Sequence, residues 1–227
     1  MSRSCDRHAK RAGAGFEHRA RAGMMRPHAE SRARDGPAAS SRRAKEATPT
    51  MAARLPYLDR AQVGAEVQSV FDTLQKASGR VLNFYRLMAH HARSVAPFLA
   101  WYPQLREGPL DLKLRYLAYV RASQLNRCGY CVTHNGAAAR RVGVSREQLD
   151  ALADFEESPL FSDLERLALR YAEAMTVRVQ VDAALVETLR KHLDPEALVQ
   201  LTLSIAAANF TNRFNEALGT EIEFESR

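Results

Sequence analysis

The sequence predicts an all-α protein, a helical bundle of about eight helices that follows an N-terminal tail. Apolar residues recur at helical spacing from about residue 59 onward, and several helix-start signals stand directly in front of such stretches. No long segment alternates with the period of two that a half-buried strand requires. The dipeptides Asp35-Gly36 and Asn135-Gly136 are not flanked by such segments, so the sequence has no hairpin signal. We therefore expect a tail over residues 1–50 and one helical domain over residues 51–227.

The first helix of this domain is indicated by an apolar stripe that Gly79 should close. Its residues are Val63, Val67, Val70, Phe71 and Leu74. A second helical stretch should run from about Leu82 towards Tyr102, bent or broken at Pro97. Gly108 and Pro109 then predict a loop.

Clear N-cap signals mark the later helices. Asp111 is expected to cap one helix, and Asp194 followed by Pro195 fits a cap with proline in the first turn. Two further sites have the spacing of a capping box, Ser145 with Gln148 and Ser162 with Glu165. The stretches 112–125 and 198–210 are apolar on nearly all sides, so they should form the centre of the bundle.

The tail carries the whole excess of positive charge. Residues 1–50 contain 12 Lys and Arg against 5 Asp and Glu, and the rest of the chain has 21 of each. With almost no aliphatic periodicity the tail cannot bury enough apolar surface to offset ordering, so we expect it to be disordered. Binding to nucleic acid or membrane and organelle targeting are alternatives, disfavoured because the basic residues are scattered. Met51 is an alternative start of the protein.

Composition predicts a cytoplasmic protein with no role at a membrane or on nucleic acid. The longest apolar run, residues 197–210, is interrupted by polar residues and is shorter than the roughly 18 residues of a membrane span. No secretory stretch follows Met1 or Met51. The three cysteines, one of them Cys5 in the tail, do not form a disulfide framework of the secreted type.

Chemically reactive side chains are concentrated between residues 124 and 135, in the segment Gln-Leu-Asn-Arg-Cys-Gly-Tyr-Cys-Val-Thr-His-Asn. Asn126 and Gly129 are poor helix-interior residues, so a break is expected there, with a new helix from Cys128 to Arg141 that Gly143 ends. Both thiols of the Cys-x-x-Cys pair would then lie in the first turn, where unpaired amides and the helix dipole stabilise a thiolate.

His134 follows Cys131 by three residues, so its imidazole can share a helix face with Cys128 and Cys131 and exchange a proton with them. A zinc site made of two cysteines and this histidine is an alternative, but a fourth ligand at useful spacing is missing. Inert buried cysteines are another alternative, because free cysteine is often simply part of a core. We expect no metal and no cofactor.

The segment resembles the alkylhydroperoxidase D and carboxymuconolactone decarboxylase superfamily, whose helical domain bears a Cys-x-x-Cys followed closely by histidine. The stretch 109–128 looks like the entry helix of that family, and Ala-Asn-Phe-Thr-Asn-Arg-Phe-Asn-Glu-Ala-Leu-Gly at 208–219 is similar to the closing helix of its peroxidase-related members. The resemblance covers roughly residues 55 to 225 and implies an alkylhydroperoxidase D-like fold.

What the resemblance implies is an antioxidant thiol peroxidase or thiol-disulfide oxidoreductase. The thiolate of Cys131 would reduce a hydroperoxide and become a sulfenic acid, which would condense with Cys128 to a redox-active disulfide. A dithiol or lipoyl-type reductant would restore the pair. Relatives assemble as homo-oligomers, so the same is expected here.

Two positions depart from the pattern of the family. Tyr116 stands twelve residues before Cys128, where the family has a proton-relay glutamate, and Asn135 stands where many relatives have a histidine. We therefore count Tyr116 with Cys128, Cys131 and His134 as a candidate catalytic residue and predict that it limits turnover. The alternatives are a redox-sensing or interaction module with little turnover and a carboxymuconolactone decarboxylase-like enzyme.

Overall fold

The computed structural model describes residues 52–223, so the interpretation of residues 1–50 as a disordered tail lies outside it. The described residues form α-helices joined by short 3₁₀ turns and, after the helix that ends at Glu173, by a π-helical turn over Ala174–Arg178, and no β-strand occurs among them. The helices are α1 (Ala65–Ser78), α2 (Asn83–Met88), α3 (Val95–Trp101), α4 (Leu112–Leu125), α5 (Gly129–Arg141), α6 (Arg146–Asp150), α7 (Asp163–Glu173), α8 (Ala183–Leu189) and α9 (Pro195–Leu218). Several of these are short, and the predicted all-α bundle of about eight helices is confirmed.

The N-cap residues that the sequence predicts mark the starts of α4, α6, α7 and α9 correctly. The Asp111 carboxylate accepts a hydrogen bond from the Lys113 amide at 2.8 Å and caps α4. Reciprocal capping boxes open α6 at Ser145 and α7 at Ser162. At the start of α9 the Asp194 side chain accepts from the Ala197 amide at 2.7 Å, next to a proline in the first turn.

The break in the second helical stretch lies elsewhere than expected. Pro97 is the third residue of α3, a position where the missing N–H would have no intrahelical partner in any case. The chain instead turns at His91, whose φ of −114° and ψ of 75° interrupt the 3₁₀ segment between α2 and α3. The prediction that Pro97 bends or breaks the helix is therefore wrong, because proline is tolerated in a first turn.

α4 is the centre of the fold, and it packs against α5, α7 and α9. The main core cluster lies on one side of α4 and contains both cysteines, whereas a smaller cluster around Leu117 and Phe155 lies on another side. The prediction that residues 198–210, now part of α9, are buried on nearly all sides is only partly confirmed. The inner face of α9 is buried, but Val199, Leu203 and Phe210 are exposed and form an apolar stripe on its outer face.

None of the helices between residues 52 and 223 is long and apolar enough to cross a bilayer.

Candidate active site

The chain breaks sharply between α4 and α5, as the sequence predicts. Arg127 has a positive φ of 57°, and the Cys128 amide donates to the Ser123 carbonyl at 2.9 Å. α5 then begins at Gly129, so Cys128 is the N-cap and only Cys131 lies in the first turn. This corrects the prediction of both thiols in the first turn. The Cys128 sulfur takes the place of a capping oxygen, accepting from the Cys131 amide at 3.4 Å.

A cavity of about 460 Å³ opens beside this turn. Cys131 and His134 both line it, whereas Cys128 is fully buried and does not. Six aromatic residues contribute to the rest of the wall, namely Phe84, Tyr85, Phe98, Tyr102, Tyr119 and Tyr130. The two thiols therefore differ in access, and only Cys131 can meet a molecule that enters the cavity.

The Cys131 sulfur lies among polar side chains of α9. The Asn215 side-chain amide donates to it at 3.2 Å, and the Thr211 hydroxyl lies 3.9 Å away. The pKa of Cys131 is lowered from its ordinary value, chiefly by the hydrogen bond from Cys128 and then by Asn212, Asn215 and Thr211, which together outweigh burial. The helix dipole acts in the same direction.

The pKa of Cys128 is raised for the complementary reasons. The hydrogen bond to Cys131 is the largest cause, and burial adds to it. Cys131 is thus the thiol of the pair that loses its proton more readily, and Cys128 is the one that keeps its proton.

His134 reaches a carboxylate from the far end of the chain. Its Nε2 atom lies 2.9 Å from Oε2 of Glu223, which follows α9 by five residues. The other carboxylate oxygen accepts from the Tyr130 hydroxyl at 2.8 Å and from the Asn83 amide at the start of α2. The Tyr130 and His134 rings are in contact, with centroids 4.3 Å apart. Glu223 therefore orients His134 and Tyr130 together.

The Glu223 side chain is only 12% exposed. Burial raises the pKa of this carboxyl, but the hydrogen bonds from His134, the Asn83 amide and Tyr130 outweigh burial and lower the pKa overall. Glu223 is consequently held as a carboxylate at neutral pH, in contact with His134.

The structure does not bring Tyr116 to the cysteines. It is buried in the smaller core cluster and is absent from the cavity wall, where α4 contributes Tyr119 instead. The expected position of a relay group is thus occupied by a packing residue. Asn135 does line the cavity, but its side chain donates to the Cys131 carbonyl at 3.1 Å.

Three site residues of α9 were missed, although a signal for them is present in the sequence. Thr211, Asn212 and Asn215 are buried polar residues that lie close together in the C-terminal half of α9. Buried polar side chains require partners, so such a cluster marks a polar site. The sequence gives no comparable indication that Glu223 belongs to the site, because this residue lies 89 residues from its partner His134.

Residues 96–174 match the model of the carboxymuconolactone decarboxylase family. The chain is also 44% identical over 126 residues to the protein YnjA of Escherichia coli (strain K12). The aligned region covers 55% of this chain and 68% of that protein. The chain belongs to the carboxymuconolactone decarboxylase family.

Solved structures agree with this assignment. A peroxidase-related protein of Silicibacter sp. TM1040 aligns with a TM-score of 0.67 and 25% identity, over 80% of this chain and 96% of its own. A peroxidase-related protein of Ralstonia eutropha JMP134 with an alkylhydroperoxidase AhpD core aligns with a TM-score of 0.67 and 22% identity, over 78% of this chain and 94% of its own. The fold is therefore alkylhydroperoxidase D-like, and the family includes enzymes.

In this family member a chain of buried polar groups runs from Cys131 into the core. Thr211 contacts the Tyr119 hydroxyl at 2.5 Å, and Tyr119 in turn interacts with Tyr102. Behind them lies Arg115, which is 1% exposed, with its guanidinium 4.8 Å from the Tyr116 ring centroid and 5.6 Å from that of Tyr119. Burial raises the pKa of Tyr102, and the positive charge of Arg115 offsets part of that shift.

Among the described residues, no group of three or more His, Cys, Asp and Glu side chains has the arrangement to hold a metal ion.

Proposed function

We propose that this protein is a thiol-dependent peroxidase that reduces hydroperoxides through Cys131 and Cys128. The observation that carries the proposal is the asymmetry of the pair, in which the cavity-lining thiol is also the one with the lowered pKa. A peroxidase needs one accessible thiolate and one nearby resolving thiol, and this arrangement supplies both.

In the first step the Cys131 thiolate attacks the distal oxygen of the hydroperoxide. The O–O bond breaks, Cys131 becomes a sulfenic acid, and the departing alkoxide takes a proton to leave as an alcohol. His134 lines the same cavity and is oriented by Glu223, so this pair is suited to deliver that proton.

In the second step Cys128 attacks the Cys131 sulfenic acid, a disulfide forms, and water leaves. The pKa of Cys128 is raised mainly by its hydrogen bond to the Cys131 thiolate. Oxidation removes that negative charge, so Cys128 becomes easier to deprotonate when it is needed. A dithiol then reduces the disulfide and is itself oxidised, which returns both cysteines to the starting state.

Serine variants of the two cysteines test the proposal. In a Cys5→Ser background, which leaves only the pair to count, mild hydroperoxide treatment should remove two free thiols. Cys128→Ser should form a sulfenic acid that dimedone traps, and Cys131→Ser should form none. Both variants should lose steady-state turnover with dithiothreitol or dihydrolipoamide.

Three outcomes would contradict the proposal. Two free thiols after peroxide treatment would exclude the redox pair, and trapping on Cys128 would reverse the roles. A disulfide that forms without steady turnover would instead favour a redox-sensing module of the same fold.

A further inference from the structure

We propose that the cavity selects hydroperoxides that carry a carboxylate on an apolar, preferably aromatic, body, and that Arg106 and Arg141 bind this carboxylate. The inference rests on the proposed peroxidase function and adds the substrate class. It follows from the distribution of charge and of aromatic rings around the cavity.

Apart from the Cys131 thiolate, the charged residues that line the cavity are of one sign, and the Glu223 carboxylate is bound by His134 and Tyr130 without lining the cavity itself. Besides His134 they are Arg80, Arg106 and Arg141, all exposed, and no Asp or Glu is among the lining residues. Neither Arg106 nor Arg141 forms an ion pair with any residue between 52 and 223. Concave surfaces lined by one sign of charge concentrate ligands of the opposite sign.

The inner part of the cavity is suited to an apolar body. Phe98 stacks on Tyr102 with ring centroids 5.0 Å apart, and Phe84 lies 5.1 Å from Phe98, so the wall presents several ring surfaces. The volume of about 460 Å³ is in the range of small-molecule sites. Cys131 is 2% exposed and the arginines are exposed, so the reacting group would lie deep and the carboxylate near the opening.

Arg115 adds positive charge behind the inner wall. Its guanidinium lies over the rings of Tyr116 and Tyr119 and acts on the Tyr102 hydroxyl, and none of the ion pairs among the described residues includes it. Arg115 does not line the cavity, so its charge acts on a ligand only at a distance, by adding to the positive potential inside the cavity.

A matched pair of substrates tests the inference, namely 4-(2-hydroperoxypropan-2-yl)benzoate and its methyl ester. Two exposed ion pairs worth about two- to fivefold each predict that kcat/KM is roughly tenfold higher for the carboxylate at low ionic strength. The preference should shrink as salt is added, since exposed charges are screened. The double variant Arg106→Gln, Arg141→Gln should abolish the preference, whereas Arg140→Gln, on the same helix but outside the cavity wall, should retain it.

Binding separates this inference from the proposed function. Calorimetric titration of 4-isopropylbenzoate and its methyl ester requires no turnover, and the carboxylate should bind roughly tenfold more tightly only when Arg106 and Arg141 are present. If neither hydroperoxide is reduced but this difference in binding holds, the peroxidase proposal fails and the site for a carboxylate stands. Equal binding and equal kcat/KM for the acid and the ester would overturn the inference. The inference would also fail if the double variant slowed only the reduction of the disulfide by an acidic dithiol protein. Arg106 and Arg141 would then bind a protein partner and not the hydroperoxide.

Discussion

Replacing Glu223 by glutamine tests the orientation of His134 most directly. The variant keeps the size of the side chain but removes the charge to which His134, Tyr130 and the Asn83 amide are hydrogen bonded. The remaining amide oxygen can still accept from Tyr130 and from Asn83. The loss is therefore concentrated on the contact with His134.

The expected cost in stability follows from that contact. A hydrogen bond to a charged group is worth about 1.5–3 kcal/mol, so Glu223→Gln should lower the free energy of unfolding at pH 7 by about 2 kcal/mol. For a domain of this size that corresponds to a fall in Tm of roughly 4–8 °C. Because the folded-state pKa of Glu223 is lowered, the wild-type advantage is fully present above the unfolded pKa of about 4.5. It should be lost as the pH falls through the folded pKa.

The effect on the rate should be similar in free energy to the effect on stability, since a 10- to 100-fold loss of rate corresponds to about 1.4–2.7 kcal/mol. General acid–base assistance is worth ~10²–10⁴ in rate, and misorienting His134 should remove about 10- to 100-fold of it. The assay is the rate constant for oxidation of Cys131 in a single turnover, measured per folded molecule from pH 6 to 9.

Glu221→Gln is the matched control, since this carboxylate lies on the same segment but interacts with Tyr57. It should retain the wild-type rate. A Glu223→Gln protein that melts lower but oxidises at the wild-type rate would refute the proton-relay role and leave Glu223 as a structural residue.

Three further predictions concern parts of the chain outside the relay. Removing residues 1–50 should leave Tm and turnover nearly unchanged, because the segment lacks an apolar stripe, and a large fall in Tm would contradict this. Tyr116→Phe should change turnover far less than the ~10²–10⁴ of a lost acid–base group, and a loss of that size would restore Tyr116 as a relay. Phe210→Glu should shift a self-associated form to a smaller species in size-exclusion chromatography, since Phe210 is 50% exposed on the stripe of α9, and an unchanged elution volume would place any interface elsewhere.

The parts of the fold that were predictable from the sequence depend on short-range interactions. The caps at Asp111, Ser145, Ser162 and Asp194 each involve residues two or three apart, so a single sequence contains both partners. The Cys-x-x-Cys spacing is equally local. Pro97 misled the prediction because the effect of a proline depends on its position in the helix, which the residue itself does not reveal.

The parts of the site that were missed depend on long-range contacts. Asn215 is 84 residues from Cys131, and Glu223 is 89 residues from His134. Tyr116 was placed at the site by analogy with a position in the family, whereas the structure places Tyr119 of the same helix on the cavity wall. Only the packing of α9 and of the segment after it against α5 decides which polar groups surround the thiolate.

The position of the two cysteines around the start of α5 determines the order of the proposed reaction. Cys131, inside the first turn, is stabilised as a thiolate by the amides of Asn212 and Asn215 and faces the cavity. Cys128, at the N-cap, is fully buried and keeps its proton as long as Cys131 is negative. Exchanging the roles would require a hydroperoxide to reach a sulfur without access and the thiolate to form on the cysteine whose pKa is raised. The burial that makes Cys128 a poor first nucleophile therefore keeps it available, unoxidised, to resolve the sulfenic acid on Cys131.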